Sequence, residues 1–202
     1  MKQSLLILTV LGLMSLGCNS NKAATSDKES STNQPPAGAA SSATASSSSS
    51  TSANADQDFI ANAAKGNRAE VTLGKMVESK TKDPSVRQFA QQMVKDHTTA
   101  LNELTQLAQS KNITLPEGLP DDATALQSKL SSASGKTLDK DYMDSMVDDH
   151  KKDVSEFQEA SQTAKDPDVK QWAAKTLPTL QAHLQKAEQI DAKVGGGKTE
   201  QQ

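Results

Sequence analysis

The chain has 202 residues, with 22 Lys and Arg against 25 Asp and Glu, so its formal net charge is −3. The sequence shows neither a basic face nor a patch in which aromatic and basic residues alternate, so nucleic acid is not an expected partner. All the aromatic residues lie within residues 56–194, a length typical of one folded domain. The segments on either side of that domain therefore need separate explanations.

The first residues have the pattern of a secretory signal peptide. Lys2 precedes an apolar run that extends from Leu5 to Leu16 and is followed by Gly17. A membrane-spanning helix needs about 20 apolar residues, and this run is shorter. Residues 1–17 are therefore predicted to direct export and then to be removed.

Cys18 is the only cysteine, so no disulfide can form within the chain. Its context, Met14 to Cys18 (MSLGC), resembles the processing box of bacterial lipoproteins, although Ser15 stands where that box usually has Leu. The resemblance implies that Cys18 is lipidated and binds the membrane through more than one acyl chain, which suffices for stable anchoring. Asn19, rather than Asp, favours the outer membrane by resemblance to known sorting rules. We expect a lipid-anchored protein of the bacterial cell envelope that faces the periplasm or the cell surface. The alternative is an ordinary secreted protein in which Cys18 has no role.

Residues 18–55 have the composition of a disordered tether. From Asn19 to Ala55 there is no Val, Ile, Leu, Met or aromatic residue, and Ser, Ala and Thr dominate. Such a segment cannot bury enough apolar surface to offset the entropy that ordering costs. We expect it to hold the folded domain clear of the lipid headgroups. Residues 195–202 (GGGKTEQQ) are predicted to form a flexible tail.

Residues 56–194 show helical periodicity, and no alternating β pattern competes with it. Four apolar stripes predict four helices: Ile60, Ala63, Val71, Gly74 and Val77; then Phe89, Met93, Leu101, Leu104 and Leu107; then Met143, Met146, Val154 and Phe157; then Val169, Trp172, Leu180, Leu184, Ala187 and Ile190. Lys-Asp-Pro occurs at 82–84 and at 165–167, and an Asp N-cap followed by Pro predicts a helix start. Turns are therefore expected near residues 80–83 and 163–166. Pro178 lies inside the fourth helix, where it is expected to kink or break the axis.

The domain contains an internal repeat. KDPSVRQFA at 82–90 matches KDPDVKQWA at 165–173, so the first two helices look like a copy of the last two. The connection between the pairs, residues 111–136, is long and contains several Pro and Gly residues, with a short helix expected after Asp121. We predict an all-α fold, a ferritin-like four-helix bundle of two αα-hairpins joined by a long crossover.

Four segments carry a resemblance to a known family: DFIANAAKGNRAEVTLGKM, QFAQQMVKDHTTALNEL, YMDSMVDDHKKDVSEF and LPTLQAHLQKA. Through them, residues 56–192 resemble the bacterial ferritin-like domain of unknown function 4142, which is found in exported and lipid-anchored proteins. The resemblance implies a four-helix bundle. It implies no established activity, so function has to be argued from the residues.

The three histidines of the chain lie on stripes that face the predicted core. His97 and His150 end the related pentapeptides MVKDH and MVDDH, and His183 lies in the apolar stripe of the fourth helix. Glu70 lies on the buried side of the first helix, and Asp153 shares a face with His150. Counted from the hairpin turns at about 1.5 Å per residue, all five side chains lie near mid-height of the bundle. They are therefore predicted to form one polar cluster.

Such a cluster has the composition of a metal site, because imidazole and carboxylate suit Zn, Cu, Fe or Ni and bundle cores are where such sites are built. The candidate ligands of one transition-metal ion are Glu70, His97, His150 and His183, with Asp153 as a further ligand or as the partner of a ligand. A di-iron site needs a Glu three residues before a His on two helices, but Val94 and Leu180 occupy those positions. A mononuclear site, or one that has lost its metal, is therefore expected rather than ferritin-type iron chemistry.

The alternative is a structural or protein-interaction module that binds no metal, with its histidines hydrogen-bonded in the core to Glu70 and Asp153. Asp96 and Asp149 lie one residue off the core stripes and are predicted to be on a solvated face. Methionines at helical spacing are expected to fill the core rather than to bind copper. No Gly-rich phosphate loop follows a strand, Ser and Thr are abundant mainly in the tether, and the one cysteine lies at the membrane, so an enzyme is less expected than a binding or structural module.

Overall fold

The computed structural model describes the backbone of residues 47–195 and the side chains of residues 55–195. The predicted signal peptide, Cys18, most of the tether and most of the tail lie outside the described residues. Within them the chain forms five helices: α1 (Ser47–Lys80), α2 (Pro84–Ser110), α3 (Asp121–Ser132), α4 (Gly135–Thr163) and α5 (Pro167–Val194). No strand occurs between residues 47 and 195, so the predicted all-α class is confirmed.

The four long helices form the bundle. α1 packs along α2, and α4 packs along α5, while α2 also lies against α5 and α1 against α4. Residues 81–83 join the first pair and residues 164–166 join the second, so each pair is an αα-hairpin. The crossover returns α4 to the first turn, where the Thr81 hydroxyl donates to the Asp139 carboxylate. The predicted ferritin-like arrangement of two hairpins and one long crossover is confirmed.

Both predicted Asp-Pro helix starts are present. The Asp83 carboxylate accepts hydrogen bonds from the backbone N–H groups of Ser85 and Val86, at 2.8 and 3.1 Å. The Asp166 carboxylate does the same at the start of α5, with the N–H groups of the second and third residues after it. Each cap satisfies backbone donors that have no partner within the helix. The caps therefore fix where each hairpin turns. Each turn then sets how deep in the bundle each following or preceding residue lies.

Three local features of the helices bear on the sequence prediction. Residues 47–55, which the sequence assigned to the tether, belong to the first turns of α1. A helix already formed by packing propagates into Ala- and Ser-rich neighbours at little cost, because nucleation is the unfavourable step. α5 continues through Pro178 without a break. The short helix expected after Asp121 is present as α3, which lies against α1 and α4.

The apolar core has two parts. The cluster nearer the first turn, here the upper cluster, includes Leu73, Val77, Phe89, Met93, Tyr142, Met146 and Ile190. The cluster nearer the second turn, here the lower cluster, includes Ile60, Ala64, Leu104, Phe157, Trp172 and Leu180. The predicted core position Val71 is only partly buried, and Leu73 takes its place in the core. None of the helices in residues 47–195 has both the length and the apolar character needed to cross a membrane.

Gly74 lies where α1 packs closely against α2. A Cβ atom at this position would lie 2.9 Å from Val94 Cγ2 and 3.1 Å from the Ala90 carbonyl oxygen. A Cβ at Gly66, two turns earlier on α1, would meet nothing within 4 Å. The two glycines of α1 therefore differ in packing while sharing the same low helix propensity.

We expect Gly74→Ala to lower the free energy of unfolding by about 1–3 kcal/mol, the usual range for overpacking. Gly66→Ala is the matched control and should raise the same quantity by up to about 1 kcal/mol, because Ala favours the helix. Urea unfolding monitored by circular dichroism measures both. A Gly74→Ala variant as stable as Gly66→Ala would contradict the close helix contact.

Candidate metal centre

A polar layer separates the upper and lower clusters. It consists of Glu70 from α1, His97 from α2, His150 from α4 and His183 from α5, and each of these residues is at most 3% exposed. Each long helix thus contributes one side chain at the same depth. The structure brings together four of the five residues that the sequence singled out.

In each of these side chains one oxygen or nitrogen atom, here called the inner atom, points into the layer. The other ring nitrogen of each histidine is its outer nitrogen. Glu70 Oε2 lies 2.7 Å from His97 Nε2 and 3.6 Å from His150 Nε2. His150 Nε2 lies 3.4 Å from His183 Nδ1, and one nitrogen from each histidine lies within 4.8 Å of the others. Ligand atoms around a tetrahedral metal with bonds of about 2.0–2.1 Å are roughly 3.3 Å apart. The distances of 2.7, 3.4 and 3.6 Å are therefore close to the spacing of a metal's ligands, and Glu70 makes such contacts with His97 and His150.

The outer nitrogen of His97 is held by Asn67. The two groups, His97 Nδ1 and Asn67 Oδ1, are 3.0 Å apart. The Asn67 amide nitrogen donates to the Ala63 carbonyl at 2.7 Å, so the amide oxygen is the atom that faces the ring. An amide oxygen can only accept, and His97 Nδ1 must therefore carry the hydrogen. This leaves Nε2 of the neutral ring with its lone pair directed into the layer.

The other two histidines are held in the same way. His150 Nδ1 donates to the Met146 carbonyl oxygen at 2.9 Å. His183 Nε2 donates to Asp96 Oδ2 at 3.0 Å. Because both partners are acceptors, the inner atoms, His150 Nε2 and His183 Nδ1, are left as lone-pair donors. Metal-binding histidines usually have their other N–H oriented by such a carbonyl or carboxylate.

Two inner atoms have no aligned hydrogen-bond partner. Glu70 Oε2 and His97 Nε2 are both fully buried, and although they are 2.7 Å apart, neither makes a hydrogen bond of good geometry. Buried polar atoms without a partner are costly and need an explanation. A cation between them would satisfy both.

The charges in the layer depend on one another. Burial alone would raise the pKa of Glu70, but His150, His97 and His183 together lower it to about 2. Burial alone would lower the pKa of His97, yet the charge of Glu70 raises it above the usual 6.5. Burial lowers the pKa of His183 to about 4 despite its bond to Asp96. At neutral pH the layer therefore offers an ionised carboxylate and a neutral His183 imidazole.

Asp153 lies beside the layer but is not bonded to it. It is partly buried, and burial, with the charge of Glu70, raises the pKa of its carboxyl to about 8. No hydrogen bond joins it to a histidine within the described residues, so of the two acids expected to pair with the histidines only Glu70 does so. Asp153 instead lines a cleft of about 460 Å³ between α1, α3 and α4.

Two features of the site differ from the sequence prediction. Asp96 was assigned to a solvated face, which is wrong: its side chain is 25% exposed and contacts His183 across the α2–α5 interface. Asn67 was not predicted at all. The available signal was its position three residues before Glu70, which places both side chains on one face of α1. Asp149 is exposed, as predicted.

We expect Asn67→Ala to lower the free energy of unfolding by about 1–3 kcal/mol, because it leaves the buried N–H of His97 without an acceptor. Asn62→Ala is the matched control, since Asn62 is exposed on the same helix and should change stability by less than about 0.5 kcal/mol. Chemical denaturation measures both variants. Equal stability of the two would show that Asn67 does not orient His97.

Comparison with known proteins agrees with this fold. A 15% identical DUF305 protein from Streptomyces coelicolor has a similar structure, with a TM-score of 0.61 over 70% of this chain and 94% of that one. CopM in its Cu(II)-bound form is 16% identical, with a TM-score of 0.58 over 68% of this chain and 96% of CopM. CopM in its Ag-bound form is 18% identical, with a TM-score of 0.55 over 66% and 93% of the two chains. At these identities the likeness shows the fold alone.

Sequence comparison identifies the family directly. No curated protein matches the chain. The family model described as "Domain of unknown function (DUF4142)" matches residues 40–190, which is most of the chain and includes every residue of the polar layer. The chain belongs to the DUF4142 family.

Proposed function

We propose that this domain binds one divalent transition-metal ion in the polar layer. The ligands are His97 Nε2, His150 Nε2, His183 Nδ1 and Glu70 Oε2. The observation that carries the proposal is the orientation of the three rings. Each outer nitrogen is held by an oxygen acceptor, so three lone pairs and one carboxylate oxygen point to a common centre.

The ligand set favours particular metals. Three imidazoles and one carboxylate suit Cu(II), Zn(II), Ni(II) or Fe(II), and Cu(II) is the tightest of these in the usual order of stability. CopM, which has a similar fold, has been crystallised with Cu(II) and with Ag. We therefore propose Cu(II) as the preferred ion and Zn(II) as the next.

The site is suited to holding an ion rather than to catalysis. All four ligands come from the protein and are buried, and a catalytic metal usually keeps an open position for water or substrate. We place this binding function in an exported protein of the cell envelope, anchored through lipidated Cys18 and separated from the membrane by the tether. The sequence of residues 1–55 supports this location.

A specific observation also favours the metal-free alternative. With a proton on His97 Nε2, the 2.7 Å contact to Glu70 becomes an ion pair that neutralises the buried carboxylate. The layer would then act only as a polar element that specifies how the four helices pair. If the layer binds a metal, titration with Cu(II) or Zn(II) should show binding and a higher Tm. If its role is only structural, the same titration should show neither.

The full chain, purified without chelator, should bind one Cu(II) or Zn(II) ion per chain. At a hundredfold excess over Kd, the ion should stabilise the domain by about 2.7 kcal/mol, which is visible as a higher Tm. Glu70→Gln and His97→Gln should each weaken binding at least about 10-fold, the lower limit seen even for groups that only orient ligands. Calorimetric titration and elemental analysis measure these quantities.

Leu104→Ala is the control for general destabilisation, because Leu104 lies in the lower cluster on the same helix as His97. It should lose about 2–5 kcal/mol of stability and keep the metal stoichiometry. If the wild-type protein neither retains metal nor becomes more stable when metal is added, the metal proposal is wrong and the structural role is favoured. Metal binding that both ligand variants retain would place the ion elsewhere.

A further inference from the structure

The cleft between α1, α3 and α4 connects solvent with the polar layer. At its outer side it is lined by the exposed side chains of Asp148, Asp149 and Lys152. Its inner wall includes Glu70, whose Oε2 is fully buried and has no aligned hydrogen-bond partner. Of the four proposed ligands, Glu70 is the one that the cleft reaches. A cation that travelled along it would meet this carboxylate before it met the histidines.

The cleft is strongly acidic. Two lysines, Lys65 and Lys152, line it together with six acidic side chains, of which Asp153 has a pKa raised by burial to about 8. The six acids are Glu70, Asp122, Asp148, Asp149, Asp153 and Glu156. A concave surface with one dominant charge raises the local concentration of the opposite ion and speeds its arrival. The cleft therefore attracts cations toward the side of the layer where Glu70 lies.

Asp153 occupies the position between the cleft and the histidines. It lines the cleft and also a much smaller pocket of about 20 Å³ that contacts His97 and His183. That pocket has room for only about one water molecule, so it is too small to admit a hydrated ion. The cleft, at about 460 Å³, is large enough. An ion coming from the cleft would reach the inner pocket past Asp153.

We propose that this acidic cleft is the route by which the metal ion enters, with Asp149 at the mouth and Asp153 at the inner end. The hydrated divalent ion exchanges water for a carboxylate oxygen of Asp149, then of Asp153, and finally for Glu70 and the three histidines. At each step a metal–water bond is replaced by a metal–protein bond, the Asp153 carboxyl releases its proton to solvent as its oxygen binds, and the oxidation state of the ion does not change. This inference rests on the proposed metal site.

Loading kinetics test the route separately from the site. Trp172 is the only tryptophan and lies in the lower cluster, so quenching of its fluorescence by Cu(II) can be followed by stopped flow in the full chain. The double variant Asp149→Asn with Asp153→Asn should load about 10-fold more slowly, the lower end of the effect of charged clefts. The rate of Cu(II) release should fall by a similar factor, because the ion leaves by the same route. The Kd of the double variant should therefore stay within about threefold of wild type. Added salt should slow wild type more than the variant.

Glu188→Gln is the matched control, because Glu188 is a half-exposed carboxylate on α5 that does not line the cleft. It should load at the wild-type rate. Unchanged loading in the double variant would overturn the route. Unchanged loading with about tenfold faster release would also overturn it, since Asp153 would then be a ligand. Absence of any Cu(II) binding in wild type would overturn both the route and the site.

Discussion

The contact between Glu70 and His97 is the interaction on which the rest of the layer depends. Glu70 is 3% exposed in the middle of a helix bundle, and a buried carboxylate is tolerated only with opposite charge and donors beside it. The partner 2.7 Å away is His97, which is positively charged when protonated and which shares an ion with Glu70 in the proposed metal site. His150 lies 3.6 Å from the same oxygen, and His183 lies against His150. The four helices can therefore pair in register only when these side chains meet at one depth.

The two copies of the internal repeat contribute different kinds of side chain to the layer. The alignment of KDPSVRQFA with KDPDVKQWA also aligns Glu70 with Asp153 and Asn67 with His150. In the first hairpin the acid is buried among histidines, and the amide orients His97. In the second hairpin Asp153 lines the cleft. His150, which aligns with Asn67, is itself a residue of the layer. The two copies have therefore diverged at these positions, although each hairpin supplies two residues of the layer.

The sequence predicted the fold and the depth of the site because both follow from local signals. Apolar stripes mark the helices, and the Asp-Pro starts fix the turns from which Glu70, His97, His150 and His183 can be counted. Ring orientation does not follow from such signals, since it depends on partners from neighbouring turns and helices. Asp96 illustrates this: it lies one residue off the stripe of α2, yet it reaches His183 because α2 packs against α5 on that side. Asp153 shares a face with His150 but turns toward the gap between α1 and α4.

The central claim is that three histidines and Glu70 converge on one ion. Diffraction from crystals grown with Cu(II) or Zn(II), with data collected at the absorption edge of the metal, tests it most directly. We expect one anomalous peak per chain, bonded to His97 Nε2, His150 Nε2, His183 Nδ1 and Glu70 Oε2 at about 2.0–2.2 Å. The outer nitrogens should keep their bonds to Asn67, Met146 and Asp96. No peak in the layer, with the Glu70–His97 contact unchanged, would contradict the account.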